Sequence, residues 1–109
     1  MRPADVVIVS AARTPIGRYG GAFRTVHAAE LGAVAARAAL DRARVASGDL
    51  DEVVMGHARQ AGSGPNPARQ VVRRSGLPDA VHAQTINKAC ASGMQAVVAG
   101  AQSIMLGES

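Results

Sequence analysis

The stretch Val81-His82-Ala83-Gln84-Thr85-Ile86-Asn87-Lys88-Ala89-Cys90-Ala91-Ser92-Gly93-Met94-Gln95-Ala96-Val97 changes its apolar rhythm half-way along. Val81 to Asn87 reads as a strand, weakened where Gln84 interrupts it. From Cys90 the period lengthens. Met94, Val97, Val98, Ala101, Ile104 and Met105 recur at helical spacing as far as Leu106, with Gly107 as the stop. A strand that turns directly into a helix is the repeating unit of a parallel α/β sheet.

Two more such units precede it. Val6-Val7-Ile8-Val9 is a continuous β-branched run, read as a buried strand extending toward Arg13 and ended by Thr14-Pro15. Gly17, Gly20 and Gly21 mark a long turn rather than a phosphate cradle, because no Gly-Lys-Ser/Thr ending follows. Ala28 to Arg44 is Ala-rich and reads as a helix with Leu31, Val34, Ala38 and Leu40 on its apolar positions; His27 and Glu30 hold a poor version of capping-box spacing. Val53-Val54-Met55 is a second strand, closed by Gly56. Asn66-Pro67 supplies a cap and a first-turn proline, and Gly76 ends that short helix. The order βαβαβα predicts an α/β fold with a parallel sheet layer and right-handed crossovers.

Composition narrows the function. The 109 residues suffice for one small domain, and the large apolar types are scarce: Leu, Ile, Val and Phe number 23, matched by 23 alanines. The only aromatics are Tyr19 and Phe23. The net charge of +4 rests on 12 basic residues, eleven of them Arg, scattered from Arg2 to Arg74. Without clustering or base-stacking aromatics, this pattern argues against nucleic acid. Arg69 and Arg73, flanked by Arg74, share a helix face that meets either solvent or an anionic ligand. One cysteine, Cys90, excludes an internal disulfide and a paired-cysteine metal site, and points to a reducing cytoplasm. Cys90 to Leu106 carries no charge over seventeen residues. The stretch is too short and too polar for a membrane span, so it is expected to be buried all round, partly by something outside this chain.

Cys90 is the chemistry-bearing residue. At the start of a helix, unpaired N–H groups and the positive dipole end favour a thiolate, and the same N–H groups can hold an acyl oxyanion. Ser92 and Gly93 are small enough to leave the sulfur accessible. The competing reading is a small buried hydrophobe, the usual fate of a free cysteine. A base is needed, and of His27, His57 and His82 only His57 follows a strand at its carboxyl end; His82 is about 17 Å away at ~3.3 Å per residue. Met55, Met94 and Met105 read as core fillers. Lys88 lies close enough in sequence to raise the thiolate fraction if its side chain turns toward the sulfur.

The segment Asn87-Lys88-Ala89-Cys90-Ala91-Ser92-Gly93-Met94-Gln95-Ala96-Val97 resembles the acyl-enzyme cysteine signature of the thiolases. Val7 to Gly17, Glu30-Leu31-Gly32, Asp51 to Gly56, Gln60-Ala61-Gly62 and Asn66-Pro67-Ala68-Arg69-Gln70 match the family in order and spacing, so the resemblance covers essentially the whole chain.

The resemblance implies thiolytic cleavage of a 3-ketoacyl-CoA, or the reverse Claisen condensation, with Cys90 as the acyl acceptor. It implies CoA and acyl-CoA as substrates, no permanently bound cofactor or metal, and a dimer or tetramer. It also implies a second half of the polypeptide carrying an activating histidine and a second cysteine. This sequence has no second cysteine and no Gly-His-Pro segment. Residues 1–109 are therefore expected to be a partial N-terminal domain without turnover of its own, its uncharged helix buried between two halves in the family. The alternatives are a truncated product or a subunit completed by a partner chain. A condensing relative such as a ketoacyl synthase fits less well, because Asn-x-x-Cys-x-Ser-Gly occurs together with Arg13-Thr14-Pro15.

Overall fold

The computed structural model describes residues 5–109. Five regular elements follow in order: α1 (Ala28–Ala43), β1 (Glu52–Gly56), α2 (Pro67–Arg74), β2 (His82–Ile86) and α3 (Ser92–Leu106), with a 3-10 turn at Ser47–Asp49 before β1. β1 and β2 pair in parallel, Glu52 opposite His82 and Gly56 opposite Ile86. A parallel pair needs a crossover, and α2 supplies it.

Side-chain alternation along β1 separates two layers. Val53 packs against the core cluster of Val72, Leu77 and Val81, joined by Leu40, Leu50 and Ala83. Met55, two residues on, reaches Gly32 of α1. The other face of β1 carries Val54, which borders a hollow with Gly100 and Ile104 of α3, and Gly56, which abuts Ser92 and Gly93. The helices α1 and α2 thus lie on one side of the sheet and α3 on the other.

Local chemistry sets the helix ends. Asn66 caps α2, accepting a bond from Arg69 N–H at 3.4 Å, and Pro67 opens the helix. Gly107 ends α3 with a positive φ of 73°. At the end of α1 the left-handed residue is Arg44 (φ 55°), whose N–H bonds Asp41 O, while the Val45 N–H bonds Leu40 O. His27 precedes α1 without a side-chain capping bond. The α1 face turned inward is Ala29 and Ala33, whereas Val34, expected on the apolar face, is 63% exposed. Small alanines let α1 approach α2, where Val71 and Val72 are fully buried.

One polar group in this layer is a liability. Ser75, 4% exposed, has a buried hydroxyl with no hydrogen-bond partner, although its carbonyl accepts from Arg37 Nη1 at 2.7 Å. A buried unpaired hydroxyl costs free energy that an alanine does not. Ser75→Ala is expected to raise stability by about 1 kcal/mol, seen as a higher urea midpoint with an unchanged slope.

Two expectations are corrected. Val6–Val9 forms no strand among the described residues: Val7, Ile8 and Val9 are 71%, 80% and 69% exposed. Apolar β-branched residues make a strand only where a neighbour offers its backbone bonds, and among the described residues the sheet has two strands.

The second correction concerns α3: the chain leaves one side of it uncovered, as expected, but Met94 and Met105 lie on that side. Its buried residues are Ser92 and Ala96, while Met94, Val97, Val98, Ile104, Met105 and Leu106 face outward. Met94 and Met105 are therefore not core fillers, unlike Met55. The helix lays small residues on the sheet because β1 approaches it closely at Gly56. Against the expectation that this stretch is too short and too polar, Ala89–Leu106 is by length and composition alone long and apolar enough, with mean hydropathy 1.3, to cross a membrane. It packs on β1 and β2 with one side and leaves the other uncovered.

Candidate active site

The carboxyl ends of β1 and β2 lie together, with Gly56 opposite Ile86, and the ladder runs one bond further through His57 N–H to Ile86 O at 3.0 Å. Beyond that edge the chain turns sharply into α3. Ala89 takes a left-handed conformation, φ 46°, unusual for a residue with a Cβ. Ala91 N–H bonds Lys88 O and Ser92 N–H bonds Ala89 O, two tight turns that overlap at Cys90. The thiol of Cys90 is exposed at the crest. The buried-hydrophobe reading does not hold for this chain.

Cys90 lies two residues before the first residue of α3, and Ala91 stands at the cap position. The Cys90 N–H takes part in none of the hydrogen bonds that hold the turn. Sulfur and free amide therefore belong to the same residue at the opening of a helix. That arrangement can attack an electrophilic carbon and hold the negative oxygen the attack creates.

Two side chains brace the turn. Asn87 Oδ1 accepts from Ala89 N–H at 3.0 Å, while Asn87 Nδ2 donates to Ala58 O at 3.1 Å, tying the turn to the loop after β1. Gln60 Nε2 donates to His57 O in that loop. Ser92 is 4% exposed; its hydroxyl accepts from Lys88 N–H at 2.8 Å and donates to Ala89 O at 2.7 Å. Sequence reasoning missed this use of Ser92 and treated it only as a small neighbour of the thiol. The spacing Lys88 to Ser92 was the available signal, since serine bonds readily to nearby backbone.

Other candidates are placed less favourably. Lys88 Nζ bonds Gln95 Oε1 at 3.0 Å and so is directed along α3. His82 opens β2 at the opposite end of the ladder, and His27 precedes α1. His57 alone shares the edge with Cys90. The arginine face of α2 is occupied locally: Arg73 pairs with Asp79 at 2.8 Å, Arg69 Nη1 donates to Asp79 O at 3.3 Å, and Arg74 meets Glu30 at 3.5 Å. Arg18 to Gly21 closes a turn, Gly21 N–H to Arg18 O at 2.9 Å. No cluster of three metal-ligating side chains occurs among the described residues.

Residues 6–109 match the family described as thiolase, N-terminal domain. The chain belongs to the thiolase family. Within it, the chain is 54% identical over 104 residues to an acetyl-CoA acetyltransferase of Cupriavidus necator, covering 95% of this chain and 26% of that protein. It is 49% identical to the cytosolic acetyl-CoA acetyltransferase ERG10 of Gibberella zeae, with the same coverage. In the solved structures, the acetyl-CoA acetyltransferase from Syntrophomonas wolfei superposes with a TM-score of 0.89 at 43% identity, over 94% of this chain and 26% of that one. This thiolase chain thus spans about a quarter of the length of the relatives it matches. Their likeness supports the α/β class and the parallel pairing expected from the sequence.

Proposed function

We propose that residues 1–109 are part of a thiolase N-terminal domain and carry the acyl-accepting nucleophile of an acetyl-CoA acetyltransferase. Cys90 is that nucleophile. Its thiolate attacks the thioester carbon of an acyl-CoA, and the Cys90 N–H faces the developing oxyanion. A bond forms between Sγ and the acyl carbon, the carbon–sulfur bond to CoA breaks, and CoA departs as a thiolate that takes a proton from solvent. The thiol proton of Cys90 has by then gone to a base. The observation that carries this reading is the exposed sulfur beside its own uncommitted amide, beyond the carboxyl ends of two parallel strands.

The full reaction is thiolysis of a 3-ketoacyl-CoA or its reverse, in the cytoplasm, with CoA as substrate and no resident cofactor or metal. Neither nucleic acid nor a membrane is a partner. The activating histidine and the second cysteine come from a C-terminal half or a partner chain that covers the apolar side of α3, and the assembled enzyme is a dimer or tetramer. The outward row of Met94, Val97, Val98 and Met105 supports such a cover.

Incubating the chain with acetyl-CoA at mildly alkaline pH tests the nucleophile. Intact-mass analysis is expected to show one added acetyl group that hydroxylamine removes, and Cys90→Ser is expected to remove that label entirely. An acetyl group that persists in Cys90→Ser overturns the assignment.

A further inference from the structure

The hydroxyl of Ser92 touches two of the peptide units that lead into Cys90, Asn87–Lys88 and Ala89–Cys90. It takes the Lys88 N–H at 2.8 Å and gives its proton to Ala89 O at 2.7 Å. The same carbonyl also receives the Ser92 N–H at 3.1 Å. Between these anchors Ala89 sits at φ 46°, a conformation an alanine does not adopt by preference. The peptide plane joining Ala89 to Cys90 contains both the anchored carbonyl and the Cys90 N–H. Fixing that carbonyl therefore fixes the direction of the amide, because a peptide unit is planar.

We propose that Ser92 is a positioning residue for acyl transfer: its buried hydroxyl locks the Ala89–Cys90 peptide so that the Cys90 N–H faces the oxyanion position. This rests on Cys90 being the acyl acceptor. The lock acts on carbonyl attack, which generates an oxyanion. It does not act on alkylation of the thiol, in which no oxygen gains charge.

That difference supplies the test. The parent chain, Ser92→Ala and Ser92→Thr are each treated with acetyl-CoA and separately with iodoacetamide, and both rates at Cys90 are followed by mass. Ser92→Ala, which adds no volume, is expected to acylate about tenfold slower or more while alkylating at the parent rate. Ser92→Thr, which keeps the hydroxyl, restores acylation. Equal acylation of Ser92→Ala and the parent overturns the inference and leaves the nucleophile standing, whereas acylation that persists in Cys90→Ser overturns both. A role in folding alone would change both rates together, and that outcome also overturns it. Amide exchange gives an independent reading: Lys88 N–H is expected to be protected in the parent and to exchange freely in Ser92→Ala, and protection retained there overturns the lock.

Discussion

Gly56→Ala is expected to destabilise the chain by about 3 kcal/mol, out of the 5–15 kcal/mol that a domain of this kind commands. The reason is backbone against backbone. A Cβ at Gly56 would fall inside contact distance of the Ser92 carbonyl group and the Gly93 nitrogen. A flexible side chain could swing away from such a clash, but a helix start can yield only by moving α3 as a unit. Gly56 has little room to retreat, since it pairs with Ile86 and the next N–H, from His57, bonds the same residue. The substitution should lower the urea midpoint, and it should also bring the alkylation rate of Cys90 to that of an unstructured thiol as the turn is pushed off the sheet. A midpoint equal to the parent's would show that strand and helix can part at no cost.

Asn66→Ala is expected to cost about 2–3 kcal/mol, more than an ordinary lost cap of about 1 kcal/mol. The excess comes from a network. Besides capping α2, Asn66 donates through Nδ2 to Ala83 O at 3.1 Å and accepts from Thr85 Oγ1 at 2.7 Å. Thr85 Oγ1 in turn receives the Ala68 N–H at 3.0 Å. One side chain thus joins the start of α2 to the middle of β2, and its removal leaves part-buried polar groups without partners. Asn66→Asp should recover part of the loss, because the oxygen that caps α2 and receives Thr85 remains while the bond to Ala83 O is lost. Thermal or urea denaturation of the two variants beside the parent decides this. Equal stability of Asn66→Ala and the parent would reduce Asn66 to an ordinary surface residue.

The elements from α1 to α3 were legible in the sequence because their signals are local. Asn66-Pro67 opens α2 and Gly107 closes α3 through bonds that reach only three to five residues along the chain. The glycine-flanked strand Val53–Met55 was read within a residue of its observed ends for the same reason. Val6–Val9 shows the limit of that logic. Its residues favour extended backbone, but a strand is completed by a neighbour, and none pairs with it among the described residues.

The sequence alone determined that a lone cysteine stands between a strand and an uncharged helix, and its motifs sufficed to place the chain among the thiolases. Only the tertiary structure decided which side of that helix meets the sheet. Periodicity marks an apolar stripe but not its partner, and the close approach at Gly56 turns Ser92 and Ala96 inward while Met94 and Val97 face out. The use of Ser92 was likewise settled in three dimensions, because a hydroxyl's partners depend on where the turn brings Lys88 N–H and Ala89 O.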